Sequence, residues 1–291
     1  MTTISHLSAI VAGLALSGFA IGTAAVGAEP PTRSVVTHGD ARLEVLAQGR
    51  GPVIVLLPSL GRGAGDFDAM ANRLADAGYR VLRPEPRGIG QSTGPWKDVN
   101  LHDLAADIAA VIEHEGKAPA FVVGHAFGNR VARMLATDRP ELVRAVALIA
   151  ANVGRAPSPP NVREAIRNSS NPRLPDDERL KALQFVFFAP GNDARQWLTG
   201  WHPEVLAAQR VAGDLTSRDE DFAAGKAPVL YVQPDHDPLA RVDEADDYKK
   251  ALGDRVTVVV IPHSSHAVIV EQPAAVSDAL IAYARKLWSE R

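Results

Sequence analysis

The sequence predicts an α/β protein with a mostly parallel central sheet, helices on both of its faces and a small helical insertion. Two observations carry this reading. From Val53 to Ile149, short continuous apolar runs alternate with segments of helical periodicity; continuous runs of this kind mark strands buried on both faces. After one interruption the same rhythm resumes at Val229 and continues into the last helix-periodic segment. Alternation at that pitch means βαβ units, and so a sheet covered by helices.

Residues 1–28 stand apart. Leu7 to Ala28 holds no charged side chain and is rich in Ala, Gly, Leu and Ile. It closes on the small residues Val26, Gly27 and Ala28. This predicts a secretory signal peptide over 1–28 and a periplasmic or secreted location. No Lys or Arg precedes the apolar run, so an N-terminal membrane anchor is the alternative.

A first core segment is expected over 29–153. Val35–Thr37 and Leu43–Ala47 alternate as an antiparallel hairpin does. Val53–Leu57 reads as a buried strand. A helical pattern through Phe67, Met70, Leu74 and Ala77 ends at Gly78, and Tyr79–Leu82 is the next strand. Leu101 to Ile112 is helix-periodic. Phe121–Val123 is a strand, Val131–Leu135 lies in a helix and Ala145–Ile149 is a strand. The pattern breaks near Gly154, and an insertion is expected over 154–226. Pro, Asn, Ser and charged residues dominate there, with aromatics at Phe185, Phe187, Phe188, Trp197 and Trp201. An aromatic-bearing insertion late in a sheet protein suggests a cap over a site mouth. The second core segment, 227–291, carries strands at Val229–Val232 and Val256–Ile261 and a helix from Ala274 to about Trp288.

The formal net charge is −3, with no basic stripe, which argues against a nucleic-acid partner. A small-molecule substrate or ligand is the expected partner. No membrane association is expected once the signal is cleaved. The chain has no cysteine, which excludes disulfides and Cys-ligated metal. His263 and His266, with Asp235-His236-Asp237, fit no standard zinc spacing, so no metal is expected. The Gly61, Gly63, Gly65 run lacks the Lys-Ser/Thr of a phosphate loop, and no cofactor is expected.

The most informative stretch is Gly124-His125-Ala126-Phe127-Gly128, which follows a strand and opens a helix. It resembles the nucleophile elbow G-x-S-x-G of the α/β-hydrolase family. Further motifs follow in that family's chain order of nucleophile, acid, histidine. Gln233-Pro234-Asp235-His236-Asp237-Pro238 is similar to the strand-end acid turn. The resemblance makes Asp237 the acid, with Asp235 the runner-up. Ser264-Ser265-His266, followed by Glu271-Gln272-Pro273, resembles the histidine loop and makes His266 the base. Arg87-Gly88-Ile89-Gly90-Gln91-Ser92 resembles a structural turn of the family. Leu60 and Phe127 are the implied oxyanion-hole donors, through their backbone amides. His125 is read as a packing residue, and the insertion aromatics as core with some lining the pocket.

Two positions depart from the family pattern. Ala126 stands at the nucleophile position, and a methyl group cannot attack a carbonyl. Pro58-Ser59 stands where the family usually has His-Gly. Three expectations stay open. The first is a hydrolase of small ester-like carbonyl substrates, in which an Asp237–His266 dyad acts as base on water or on substrate. The second is a non-hydrolytic ligand-binding, lyase or oxygenase-type protein on the same fold. The third is an engineered Ser-to-Ala substrate trap of a serine esterase.

Overall fold

The computed structural model describes residues 30–154 and 158–289. The signal peptide expected over 1–28 lies outside the described residues. The described residues open with a hairpin of β1 (Thr32–His38) and β2 (Ala41–Gln48), followed by β3 (Val53–Leu57), α1 (Asp68–Asp76), β4 (Arg80–Pro84) and α2 (Leu101–Glu115). Next come β5 (Ala120–His125), α3 (Phe127–Asp138) and β6 (Val143–Ile149). Four helices then intervene: α4 (Pro160–Ser169), α5 (Asp176–Val186), α6 (Pro203–Asp214) and α7 (Arg218–Phe222). The chain closes with β7 (Val229–Pro234), α8 (Val242–Leu252), β8 (Val256–Ile261), α9 (Val268–Glu271) and α10 (Pro273–Ser289).

Among the described residues eight strands form one sheet in the order β1-β2-β4-β3-β5-β6-β7-β8. The β1–β2 and β2–β4 pairs are antiparallel and the rest are parallel. Period-two alternation sends β3 side chains to both faces. Val53, Val55 and Leu57 pack in one core with residues of α2, α3 and α8. Ile54 and Leu56 pack in the other with residues of α1 and α10. The Arg87–Ser92 turn is held from α2, where buried Asp107 accepts from both Nε (2.7 Å) and Nη2 (2.9 Å) of Arg87. A fork-to-fork pair of this kind fixes orientation as well as distance.

α8 has no counterpart in the periodicity read from the sequence. Only Ala245 and Tyr248 of this helix are buried, Leu252 is partly buried against the same core, and six of the eleven residues are charged, so its apolar stripe is thin. The tail of the expected insertion is tied to the first core. Asp221 on α7 is fully buried and pairs with Arg130 (3.1 Å) and Arg133 (2.9 Å) of α3. The insertion also has a small core of its own, including Leu183, Val186, Phe187, Phe188 and Trp197. Leu239 and Ala267, from the loops after β7 and β8, complete it. Among the described residues no helix is long and apolar enough to cross a membrane.

The sharpest local constraint is the junction of β5 and α3. A Cβ at Gly124 would overlap the backbone of Asn129, and one at Gly128 would overlap the carbonyl oxygen of Leu57. Backbone atoms cannot yield as a flexible side chain can, so both sites demand glycine. Gly128→Ala is expected to lower the unfolding free energy by roughly 3 kcal/mol or more. Gly65→Ala, whose methyl would meet nothing within 4 Å, should change it by less than about 1 kcal/mol. Urea unfolding of both variants checks the pair, and equal losses would contradict the account.

Candidate active site

The site lies at the carboxyl ends of the parallel strands, where open α/β sheets place their ligands. At the tip of β5 the chain turns into α3 within one residue. Ala126 carries that turn with φ 48° and ψ −111°, a conformation costly for any residue with a Cβ. Its amide donates to the Ile149 carbonyl (3.0 Å) and its carbonyl accepts from the Asn129 amide (3.1 Å). The Asn129 side-chain amide donates to the same carbonyl. These bonds hold the Ala126 methyl over the end of the sheet.

The acid turn follows β7 and the histidine loop follows β8. His266 Nδ1 lies 2.8 Å from Asp237 Oδ2, and both side chains are buried. The other carboxylate oxygen of Asp237 accepts from the amides of Leu239 (2.7 Å) and Ala240 (3.0 Å). The carboxylate is acceptor-only, so His266 donates from Nδ1 and its Nε2 is left as a base. Asp235, the runner-up acid, is engaged elsewhere. It pairs with His236 (2.6 Å) and accepts from the amides of His263 and Ser264 (3.1 Å each). Those bonds fix the histidine loop.

A cavity of about 300 Å³ is lined by Ala126, Phe127, Leu60 and His266 together, with Phe187 and Trp201 on the insertion side. Sequence positions 60, 126, 127 and 266 thus meet at one space. Phe127 opens α3, so its amide is one of the N–H groups with no partner inside the helix. Such amides are ready donors for an anion.

A family model described as alpha/beta hydrolase fold matches residues 52–273. The chain belongs to the alpha/beta hydrolase fold family. It is similar to epoxide hydrolase A of Mycobacterium tuberculosis, 34% identical over 137 residues, which are 45% of this chain and 42% of that protein. It is also similar to the AB hydrolase superfamily protein YfhM of Bacillus subtilis, 37% identical over 207 residues, 70% of this chain and 63% of that one. The chain therefore spans less than two thirds of the length of either relative. Among solved structures it is similar to an esterase from Exiguobacterium antarcticum, with TM-score 0.73 and 17% identity over 87% of this chain and 100% of that one. At that identity the likeness is one of fold.

Within this hydrolase fold, several residues that no motif announces brace the site. Gln209 on α6 accepts from the Gly61 amide (2.7 Å), and the His202 amide donates to the Gly61 carbonyl (3.0 Å). The loop carrying Leu60 is thereby held from the insertion. Buried Arg62 stacks on Trp197 (4.7 Å) and Trp201 (4.9 Å) and pairs with Asp66. Glu271 accepts from the amides of Ala189 (2.7 Å) and Ser265 (2.6 Å) and from Asn192 (2.7 Å), joining insertion to histidine loop. Burial pushes Glu271 above the ordinary carboxylate range. The Glu271-Gln272-Pro273 context was the only trace of these braces in the sequence.

His125 is fully buried, and its Nε2 lies 2.7 Å from the backbone carbonyl of His266. A carbonyl only accepts, so Nε2 carries the proton. Burial, followed by the neighbouring His266, pushes His125 down to about 3. It is a neutral strut between elbow and histidine loop, not a titrating group at neutral pH. An unfolded histidine titrates at about 6.5. The stability His125 lends is therefore whole above about pH 6.5 and is lost as pH falls towards 3. His125→Gln keeps an N–H donor but cannot titrate. Unfolding free energies between pH 7 and pH 4 should fall about 3 kcal/mol further in the parent protein than in His125→Gln. Parallel curves would contradict the assignment.

Proposed function

We propose that this protein is a hydrolase of small ester-like carbonyl substrates that works without a covalent intermediate. The reading rests on one observation: the Asp237–His266 pair, at 2.8 Å, lines the same cavity as the Ala126 methyl and the Leu60 and Phe127 positions. Ala126 stands where family members carry a nucleophile, and its methyl cannot form the acyl bond. What remains is a base, the Leu60 and Phe127 amides as oxyanion donors, and a pocket. These are the components that general-base hydrolysis needs.

In the step proposed, His266 Nε2 takes a proton from a water molecule poised beside Ala126. The water oxygen attacks the ester carbonyl carbon, and the carbonyl oxygen becomes an oxyanion. The Leu60 and Phe127 amides donate to that oxyanion. On collapse the C–O bond to the leaving alcohol breaks, and the imidazolium returns the proton to the departing oxygen. The products are a carboxylic acid and an alcohol. Asp237, 2.8 Å from Nδ1, holds the ring in the tautomer that leaves Nε2 free.

Serine enzymes stripped of their nucleophile retain about 10³–10⁴-fold acceleration over water through oxyanion hole and binding. Turnover of that order is the expectation here. The second reading, a binding protein that has kept the pocket alone, is favoured by the inert methyl at the elbow. p-Nitrophenyl acetate hydrolysis separates the two. The proposal expects slow turnover, linear from the first cycle with no burst, and lower by about 10² or more in His266→Ala. Release that is indistinguishable from buffer, or unchanged in His266→Ala, would contradict it.

A further inference from the structure

The lining of the cavity carries three arginines: Arg130 from α3, Arg210 from α6 and Arg218 from α7. One carboxylate, Asp214, lines it too. Asp221 sits beneath it, and its one negative charge is divided between Arg130 and Arg133. That leaves the α3 pair one positive charge in excess. Arg218 is held by neutral oxygens: its Nη1 donates to the Gly154 carbonyl (2.8 Å) and to Asn152. Among the described residues no carboxylate lies within ion-pair distance of Arg218 or of Arg210. Loss of solvent, followed by Arg130 and Arg133, draws the Arg218 guanidinium below its ordinary value, against the opposing pull of Asp221 and Glu244. Three guanidinium groups thus line the pocket against one lining carboxylate, Asp214, with Asp221 and Glu244 set behind them.

The same cavity has apolar and aromatic lining from Leu60, Phe127, Phe187 and Trp201. It therefore offers a base, apolar surface and guanidinium groups to one ligand. Guanidinium groups bind planar and tetrahedral oxyanions through paired N–H donors. A cavity of about 300 Å³ suits a small molecule.

We infer that the ligand is a small ester bearing an oxyanion, a carboxylate or a phosphate, on the arm that reaches Arg210 and Arg218. The inference rests on the proposed use of this cavity as the substrate site, and it names the class of substrate. It does not require turnover. The ester carbonyl lies towards Ala126 and His266. The charged group is paired with guanidinium, which offsets its charge against the oxyanion that forms at the amides.

Calorimetric titration of the whole protein at low salt tests this. The probes are monomethyl succinate, its phosphonate analogue and methyl butyrate, which is uncharged and similar in size. At least one anionic ester should bind about tenfold or more tightly than methyl butyrate. Whichever of the two binds more tightly identifies the oxyanion. Arg210→Gln should remove about threefold to tenfold of that preference, and Arg210→Gln with Arg218→Gln should abolish it. Arg218→Lys, which keeps the charge, should retain part of it. A melting curve on each variant confirms that it is folded. Equal binding of charged and neutral esters, or a preference that survives the double variant, would overturn the inference. If that result came with His266-dependent ester turnover, it would leave the proposed hydrolase standing. Absence of binding by all three esters would overturn the use of the cavity as well.

Discussion

The tightness of one turn governs this molecule. The chain passes from β5 to α3 through Ala126 alone, and the bases of Gly124 and Gly128 lie against main-chain atoms of Asn129 and Leu57. There is no room for a Cβ on either side, so the residue between them takes the strain. The consequence is positional. The central side chain is lifted off the sheet, and the first amides of α3 face the same space. Burial of Leu57 and Gly124 in the sheet makes the turn as rigid as the core itself. Strain of this kind persists only where surrounding structure over-determines it, and here β3, β5 and β6 all contribute.

Other groups are then brought to that point by struts. His125 bonds the elbow to the backbone of the histidine loop, and Asp237 bonds the ring of that loop's His266. Glu271 and Asp235 hold the loop's amides from opposite sides. Gln209 reaches from α6 to the loop of Leu60. The insertion is therefore more than a cover. It places one candidate donor directly, and its aromatic core is completed by Leu239 and Ala267 from the acid and histidine loops. Movement of the insertion would move the site.

Much of the fold was legible because buried parallel strands leave continuous apolar runs, and β3, β5, β6 and β7 each left one. The elbow was legible because a steric demand for glycine writes itself as glycine. α8 was not, because a helix that buries only Ala245 and Tyr248, with Leu252 half-buried, leaves a thin stripe among six charged residues. Asp237 and Asp235 both stood in the acid turn, and sequence could only rank them. Geometry separates them: one faces the imidazole, the other is spent on backbone amides and on His236. Arg62, Gln209, Arg210 and Arg218 were silent for a different reason. Arg62 lies in a loop, Gln209 and Arg210 on α6 and Arg218 on the short, polar α7, and each meets its partners only through the tertiary fold. No local pattern records such a meeting.

The central claim is that elbow, imidazole and amides still converge on one point, whatever side chain occupies it. Labelling with a fluorophosphonate measures that convergence directly, because it needs an activated hydroxyl and a stabilised phosphorus oxyanion at once. Restoring a hydroxyl by Ala126→Ser should make the protein react stoichiometrically at that position, as read by intact mass and peptide mapping. The parent protein and the double variant with His266→Ala should stay unlabelled. A folded Ala126→Ser protein that failed to react would contradict the claim, and the site would reduce to a shared fold around an unrelated pocket.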